Sequence, residues 1–325
     1  MRRLLNIKVL AFLKLVRIEN LIMIAATQFL LRYFVLRKIL DLHGIQLELD
    51  HGLFYLVVLS TVLIAAAGYI INDYFDVKTD LINHPDTVVV DKVIKRRWAI
   101  ILHILLTTAG LFIGMYAALR TGYLRLAIFH FAAAILLWFY STDMKKQLLV
   151  GNVVVSLLTA AVAFMPFMFE MGVLRQIYPD FIINYKYAVL SCLKITLVFG
   201  IFAFVTSLAR EIIKDIEDYK GDEATGGRTM PIVWGIRASK LTAFFLLVIT
   251  ALLLLFATYN AIRAEQVIFS FPILYIVFAL ISPLVFLAYF TIKAKESAQF
   301  KKASLMLKSI MLLGLCYCFI FYYLN

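Results

Sequence analysis

Charge is what this chain of 325 residues has least of. Only 16% of its residues are Asp, Glu, Lys or Arg, 63% are apolar, and the mean hydropathy is +0.92. Soluble domains run about 25% charged and about 45–50% apolar. A water-soluble globule is therefore excluded, because its surface would have to be apolar too. The same excess excludes disorder and collagen. Cysteine is scarce as well: Cys192, Cys316 and Cys318 all lie inside long apolar segments. They form no disulfide framework or zinc pattern and read as small buried hydrophobes. The basic start, MRRLLNIKVLAFLKLVRIENL, lacks a small-residue cleavage site before the next apolar run, so no cleavable signal peptide is expected. The class that remains is a polytopic membrane protein.

A membrane span needs about 20 predominantly apolar residues. Nine stretches qualify: 18–37, 53–72, 98–119, 123–141, 148–170, 187–210, 238–259, 267–292 and 303–323. All are read as helices, since open sheet edges are not tolerated in hydrocarbon. The fold class is thus all-α, a single transmembrane domain over residues 1–325. The N-terminus and the even-numbered connections hold 22 Lys and Arg, and the odd-numbered connections hold seven. The positive-inside rule then predicts a cell (inner) membrane protein with its N-terminus in the cytoplasm and its C-terminus outside. It also accounts for the net charge of +12 without a nucleic-acid partner.

Carboxylates are unevenly placed: 11 of the 20 Asp and Glu fall in two of the connections on the basic side. The second span runs into Asn72-Asp73-Tyr74-Phe75-Asp76-Val77-Lys78-Thr79-Asp80, and the sixth into Asp215-Ile216-Glu217-Asp218-Tyr219-Lys220-Gly221-Asp222. Both contain D-x2-D-x3-D. On a continuing helix these positions share one face, where like charges repel unless solvated or bridged by a cation. Hard carboxylate oxygens suit Mg²⁺, which keeps waters and bridges to substrate phosphates. Two such rows facing each other suit a diphosphate held between them. Neither row has the glycine and Lys-Ser/Thr positions of a Walker loop or an EF-hand.

At these residues the sequence resembles the UbiA superfamily of intramembrane prenyltransferases, over nearly its whole length. The family's NDxxDxxxD motif matches Asn72, Asp73, Asp76 and Asp80. Its DxxxD motif matches Asp218 and Asp222, with Asp215 one turn earlier. The run GDEATGGRTMPIVWG resembles the family's GD…G-x-RT-x-P…G and brings in Arg228. Tyr140-Ser141, Lys145-Lys146 and Gly151-Asn152 resemble its YS…K…GN, and Arg17 and Asn20 its opening R-x-x-N. The resemblance implies a nine-helix bundle and a Mg²⁺ cofactor. It implies metal ligation by Asp73, Asp76, Asp80, Asp215, Asp218 and Asp222, with Asp73, Asp76, Asp218 and Asp222 central to catalysis. Asn72, Lys145, Arg228, Asn20 and Arg17 are implied to contact the substrate. The expected partners are a polyprenyl diphosphate, geranylgeranyl diphosphate above all, an acceptor and membrane lipids. The acceptor branch resembled most is the one that prenylates geranylgeranylglyceryl phosphate, and aromatic-acceptor branches share much of the pattern. One departure stands in His84-Pro85-Asp86-Thr87-Val88, where Thr87 occupies a position at which many members carry Arg; Lys78 or Lys92 is the nearest replacement.

A different class, a cation or phosphate-ester transporter, predicts ionisable residues near the midplane of several spans. Here the acids gather at one end of the spans, which favours a one-sided enzyme. The five histidines show no metal-ligand spacing.

Overall fold

The computed structural model describes residues 2–178, 180–265 and 270–324. Among them, nine helices are long and apolar enough to cross a membrane: Ile18–Leu42, His51–Asn83, Arg96–Arg120, Leu124–Thr142, Val150–Ile177, Lys186–Glu217, Gly235–Asn260, Phe271–Lys293 and Ser297–Leu324. They are numbered spans 1–9 below. A further helix, Arg2–Leu15, precedes span 1. The chain is an integral membrane protein, and each sequence-predicted span falls on one of these helices. The predicted start of span 8, at 267, lies outside the described residues.

Large apolar side chains such as Phe112, Phe245 and Phe278 are exposed on the outside of the bundle, as expected where lipid replaces water. Inside, spans 6–9 share a core that includes Ile212, Leu247, Leu284 and Leu307. Spans 2 and 3 pack through Gly110 and Gly114, a small-xxx-small pair that lets helix backbones approach in lipid. A Cβ on Gly110 would meet Ile64 at 2.8 Å, and the Ser60 hydroxyl donates to the Gly110 carbonyl at 2.7 Å. Span 8 is locally underwound into a π-helical stretch, Ile276–Ile281, just before Pro283. Proline has no N–H to give to the preceding turn, which disturbs the regular ladder there.

Two features concern the motifs: the first agrees with the continuing helix expected there, and the second departs from expectation. Span 2 does not stop at residue 72; it continues to Asn83, so the whole first motif stands on one helix. Span 6 ends at Glu217, and the chain turns at Asp218 into a short helix, Tyr219–Ala224. The single helical row expected for Asp215, Asp218 and Asp222 is therefore a corner. The cause is tertiary. Asn83, at the end of span 2, donates to the Asp218 carbonyl at 2.9 Å and accepts from the Gly221 N–H at 2.8 Å. These bonds hold the turn where a continued helix would leave.

Charge is also less absent from the spans than the sequence suggested. Arg32 in span 1 and Glu170 in span 5 are fully buried and paired at 2.9 Å. Glu170 also accepts from the Glu48 and Leu49 backbone N–H groups, and Arg32 donates to the Leu49 carbonyl and the Tyr33 hydroxyl. The pair ties the 43–50 connection to spans 1 and 5, and neither residue lines the cavity described next.

Candidate active site

Both motifs open onto one cavity of about 640 Å³. Its mouth is polar. Asn72, Asp76 and Asp80 come from span 2, Asp215 from span 6, and Asp218 and Asp222 from the corner that follows. Asn72, Asp76, Asp80 and Asn83 are spaced three or four residues apart on one unbroken helix, so all reach the same side. Deeper in, the walls are apolar: Ile64, Leu136, Val162, Phe199 and Met311 among them.

Four of the motif acids, Asp73, Asp76, Asp215 and Asp218, are held by a partner from another element. Lys145, on the turn between spans 4 and 5, donates to Asp76. That turn sits close because Gly151 has no side chain; a Cβ there would stand 2.6 Å from the Lys145 Cα. The next residue, Asn152, donates to Asp215 at 2.8 Å. The Gly-Asn step thus seats the lysine and orients an acid. Arg17 donates to Asp73 at 2.9 Å and lies over the Tyr69 ring at 5.0 Å. Arg17 and Asn20 line the mouth, whereas Asp73, expected to be a metal ligand, does not line it and is paired with Arg17. Asp80, Asp222 and Lys214 also line the mouth, and among the described residues their side chains make no hydrogen bond or ion pair.

His84 was given no role by the sequence. Its Nε2 lies 2.8 Å from Asp218 Oδ1 and 3.8 Å from Glu217 Oε1, and ligand atoms of the three residues fall within 4.8 Å of one another. Asn83, His84 and Asn152 are the residues that sequence reasoning missed or left without a task. Their only signal was position, directly after the first motif and directly after Gly151.

Besides Asp73, two further expectations are not matched by the lining of the cavity. The Arg228 side chain is exposed and does not line the cavity; its backbone N–H donates to the Lys146 carbonyl at 2.8 Å and so braces the lysine turn. Neither Lys78 nor Lys92 lines the cavity either, so they do not replace the arginine missing at Thr87. Lys92 donates instead to the Pro85 carbonyl at 2.6 Å, and Thr87 to the His84 carbonyl at 3.0 Å.

The electrostatics agree with this crowding. Burial, then Asp218, then Asp76 push the Asp222 carboxyl up to about 7, so the two motifs feel each other. Burial also raises Asp218, but the His84 hydrogen bond together with Lys214, His84 and Arg17 outweighs it and brings that carboxyl below its usual value. Burial lowers Lys145 despite Asp76 beside it. A cluster of carboxylates this dense suits a hard divalent cation. Three buried polar atoms at the cavity lack a partner: Asn72 Oδ1, Arg210 Nε and Thr229 Oγ1. Buried polar groups ordinarily find one, and a polar substrate or a hydrated ion would supply it.

A profile of the UbiA prenyltransferase family matches residues 44–322. The digeranylgeranylglyceryl phosphate synthase of Sulfurisphaera tokodaii is 32% identical over 274 residues, covering 82% of this chain and 86% of that one. The enzyme of the same name from Methanothermobacter thermautotrophicus is 32% identical over 199 residues, 60% of this chain and 62% of that protein, so the match spans less than two thirds of its length. A solved structure of a UbiA homologue from Archaeoglobus fulgidus bound to DMAPP and Mg²⁺ superposes with a TM-score of 0.54 at 17% identity, over 97% of this chain and 99% of that one. That likeness is one of fold.

Proposed function

The chain belongs to the UbiA prenyltransferase family, and from that premise we propose that it is a Mg²⁺-dependent intramembrane prenyltransferase. In this reading one domain transfers a geranylgeranyl group from its diphosphate to geranylgeranylglyceryl phosphate, with the motif-bearing mouth and the N-terminus on the cytoplasmic side of the cell membrane. The observation that carries it is the two carboxylate motifs meeting at the mouth of one cavity whose inner half is apolar. The names of the synthases it resembles support the acceptor.

Asp76, Asp80, Asp215, Asp218 and Asp222 are the residues that would hold Mg²⁺, with Asp73 behind them through Arg17. Bound there, Mg²⁺ supplies the positive charge that neutralises a diphosphate as leaving group. Lys145 is placed to move from Asp76 to a phosphate oxygen as the donor enters, and Asn72 offers its unpartnered carbonyl oxygen to the metal ion or one of its waters. The apolar inner walls take the prenyl tail and keep water from the allylic C1 as its bond to the diphosphate oxygen loosens. The acceptor hydroxyl oxygen then bonds to C1 as the bond from C1 to the diphosphate oxygen breaks, and the hydroxyl proton passes to the departing diphosphate. Fixed charges around the departing diphosphate stabilise charge that develops only in the transition state.

The test is turnover by purified protein of radiolabelled geranylgeranyl diphosphate against a panel of acceptors. Product is expected with geranylgeranylglyceryl phosphate. Product with 4-hydroxybenzoate and none with the phosphorylated lipid would replace the acceptor while keeping the prenyl transfer.

A further inference from the structure

The cavity holds more cations than a diphosphate centre uses. Arg17 is bound to Asp73 and Lys145 to Asp76. Arg210 and Lys308 also line the cavity; Arg210 opens the stretch that runs into the second motif, and Lys308 belongs to no motif. They come from different helices but meet at one level. Spans 6 and 9 run antiparallel: Ser297 donates to the Glu217 carbonyl at 3.2 Å near one end, and Phe202 packs against Gly314 further along. At about 1.5 Å of rise per residue, these two contacts set Lys308 within about one turn of Arg210. Arg210 itself stands five residues before Asp215, on the apolar side of the metal-binding acids.

Neither cation is fully engaged. Arg210 gives Nη1 to Glu211 at 2.8 Å, while its Nε is buried without a partner. Lys308 bonds Glu19 of span 1 at 2.8 Å, but the Glu19 side chain is 82% exposed and free to swing into water. Lys214, one turn after Arg210, makes no hydrogen bond or ion pair among the described residues and adds a third positive charge. A planar guanidinium with an unpartnered Nε and an ammonium at the same level of one cavity are together suited to a phosphate monoester.

We propose that Arg210 and Lys308 form a second anion site, separate from the carboxylate-lined diphosphate centre, which binds the phosphate monoester of the acceptor lipid. The inference rests on the acceptor reading above. The phosphate takes the place of Glu19 on Lys308 and occupies Arg210 Nε, while Glu211 keeps the guanidinium oriented. Anchored one to two turns below the donor's head group, the acceptor presents its glyceryl hydroxyl to C1 and keeps its own chains among the apolar walls.

Binding tests this apart from turnover. Protein in detergent, saturated with Mg²⁺ and geranylgeranyl thiodiphosphate, a poorly reacting donor analogue, is titrated calorimetrically with geranylgeranylglyceryl phosphate and with its dephosphorylated alcohol. The wild type is expected to bind the phosphate form at least tenfold more tightly. Arg210→Gln and Lys308→Met should each remove most of that preference, Lys308→Arg should restore it, and donor-analogue affinity should stay within about twofold. Thermal unfolding of each variant checks that it remains folded. A preference unchanged in both variants overturns the site. So does a wild type that binds both lipids equally, or an equal loss of donor affinity, which would assign these cations to the diphosphate centre. If the wild type prefers the phosphate form but turns over only aromatic acceptors, the anion site stands and the acceptor reading fails.

Discussion

At the scale of the residue, the motif acids that have a partner, Asp73, Asp76, Asp215 and Asp218, are positioned by something the motif does not contain. Asn152 orients Asp215, Lys145 holds Asp76, and His84 holds Asp218. Asp222 is raised to about 7, by burial and then by Asp218 and Asp76. A metal ligand must be deprotonated, so Mg²⁺ binding releases that proton. Below a pH of about 7 the Mg²⁺ concentration for half-maximal activity should rise by up to about tenfold per unit. Asp222→Asn should flatten that dependence; a wild-type value constant between about pH 6 and 8 would exclude Asp222 as a ligand. The acids were legible in the sequence because the same spacing occurs twice. Their partners were not, because Asn83 and His84 look like ordinary residues leaving a helix, and their contacts lie 134 or more positions away.

At the scale of the element, the end of span 2 is a clasp. Asn83 closes on the Asp218–Gly221 turn, and Thr79 meets the Thr225 hydroxyl at 3.0 Å. A Cβ at Gly221 would stand 2.4 Å from Asn83. Asn83→Ala should therefore loosen the second motif, raising the Mg²⁺ requirement and the KM for donor several-fold while the protein stays folded. Gly221→Ala should do the same; wild-type values in both would mean the corner holds itself. The Arg32–Glu170 pair is a separate fastening of span 1 to span 5. Leaving one buried charge unpaired costs about 3–5 kcal/mol, whereas replacing both with apolar groups is often neutral. Glu170→Leu should lower the Tm in detergent clearly, and Arg32→Met with Glu170→Leu should recover most of the loss. This pair was invisible to sequence reasoning: a lone arginine in an apolar segment reads as an anchor, and its partner is 138 residues away.

At the scale of the whole molecule, hydropathy sufficed to find the nine spans, because about 20 apolar residues per crossing is a demand of bilayer thickness. It said nothing of where the helices stop, since both motif helices run on past their apolar stretches under tertiary control. Nor did it reveal that the two halves of the chain meet at one mouth; similar motif spacing suggested this, and the shared cavity carries it. The account stands or falls on those halves working as one metal-dependent centre. The most direct measurement is a Mg²⁺ titration of prenyl transfer from radiolabelled geranylgeranyl diphosphate by the wild type, Asp76→Asn and Asp218→Asn. Removing one carboxylate from either half should lower turnover by about 10²-fold or more, as loss of a transition-state contact does, with the Tm in detergent little changed. Activity without a divalent cation, or wild-type rates in both variants, would contradict it.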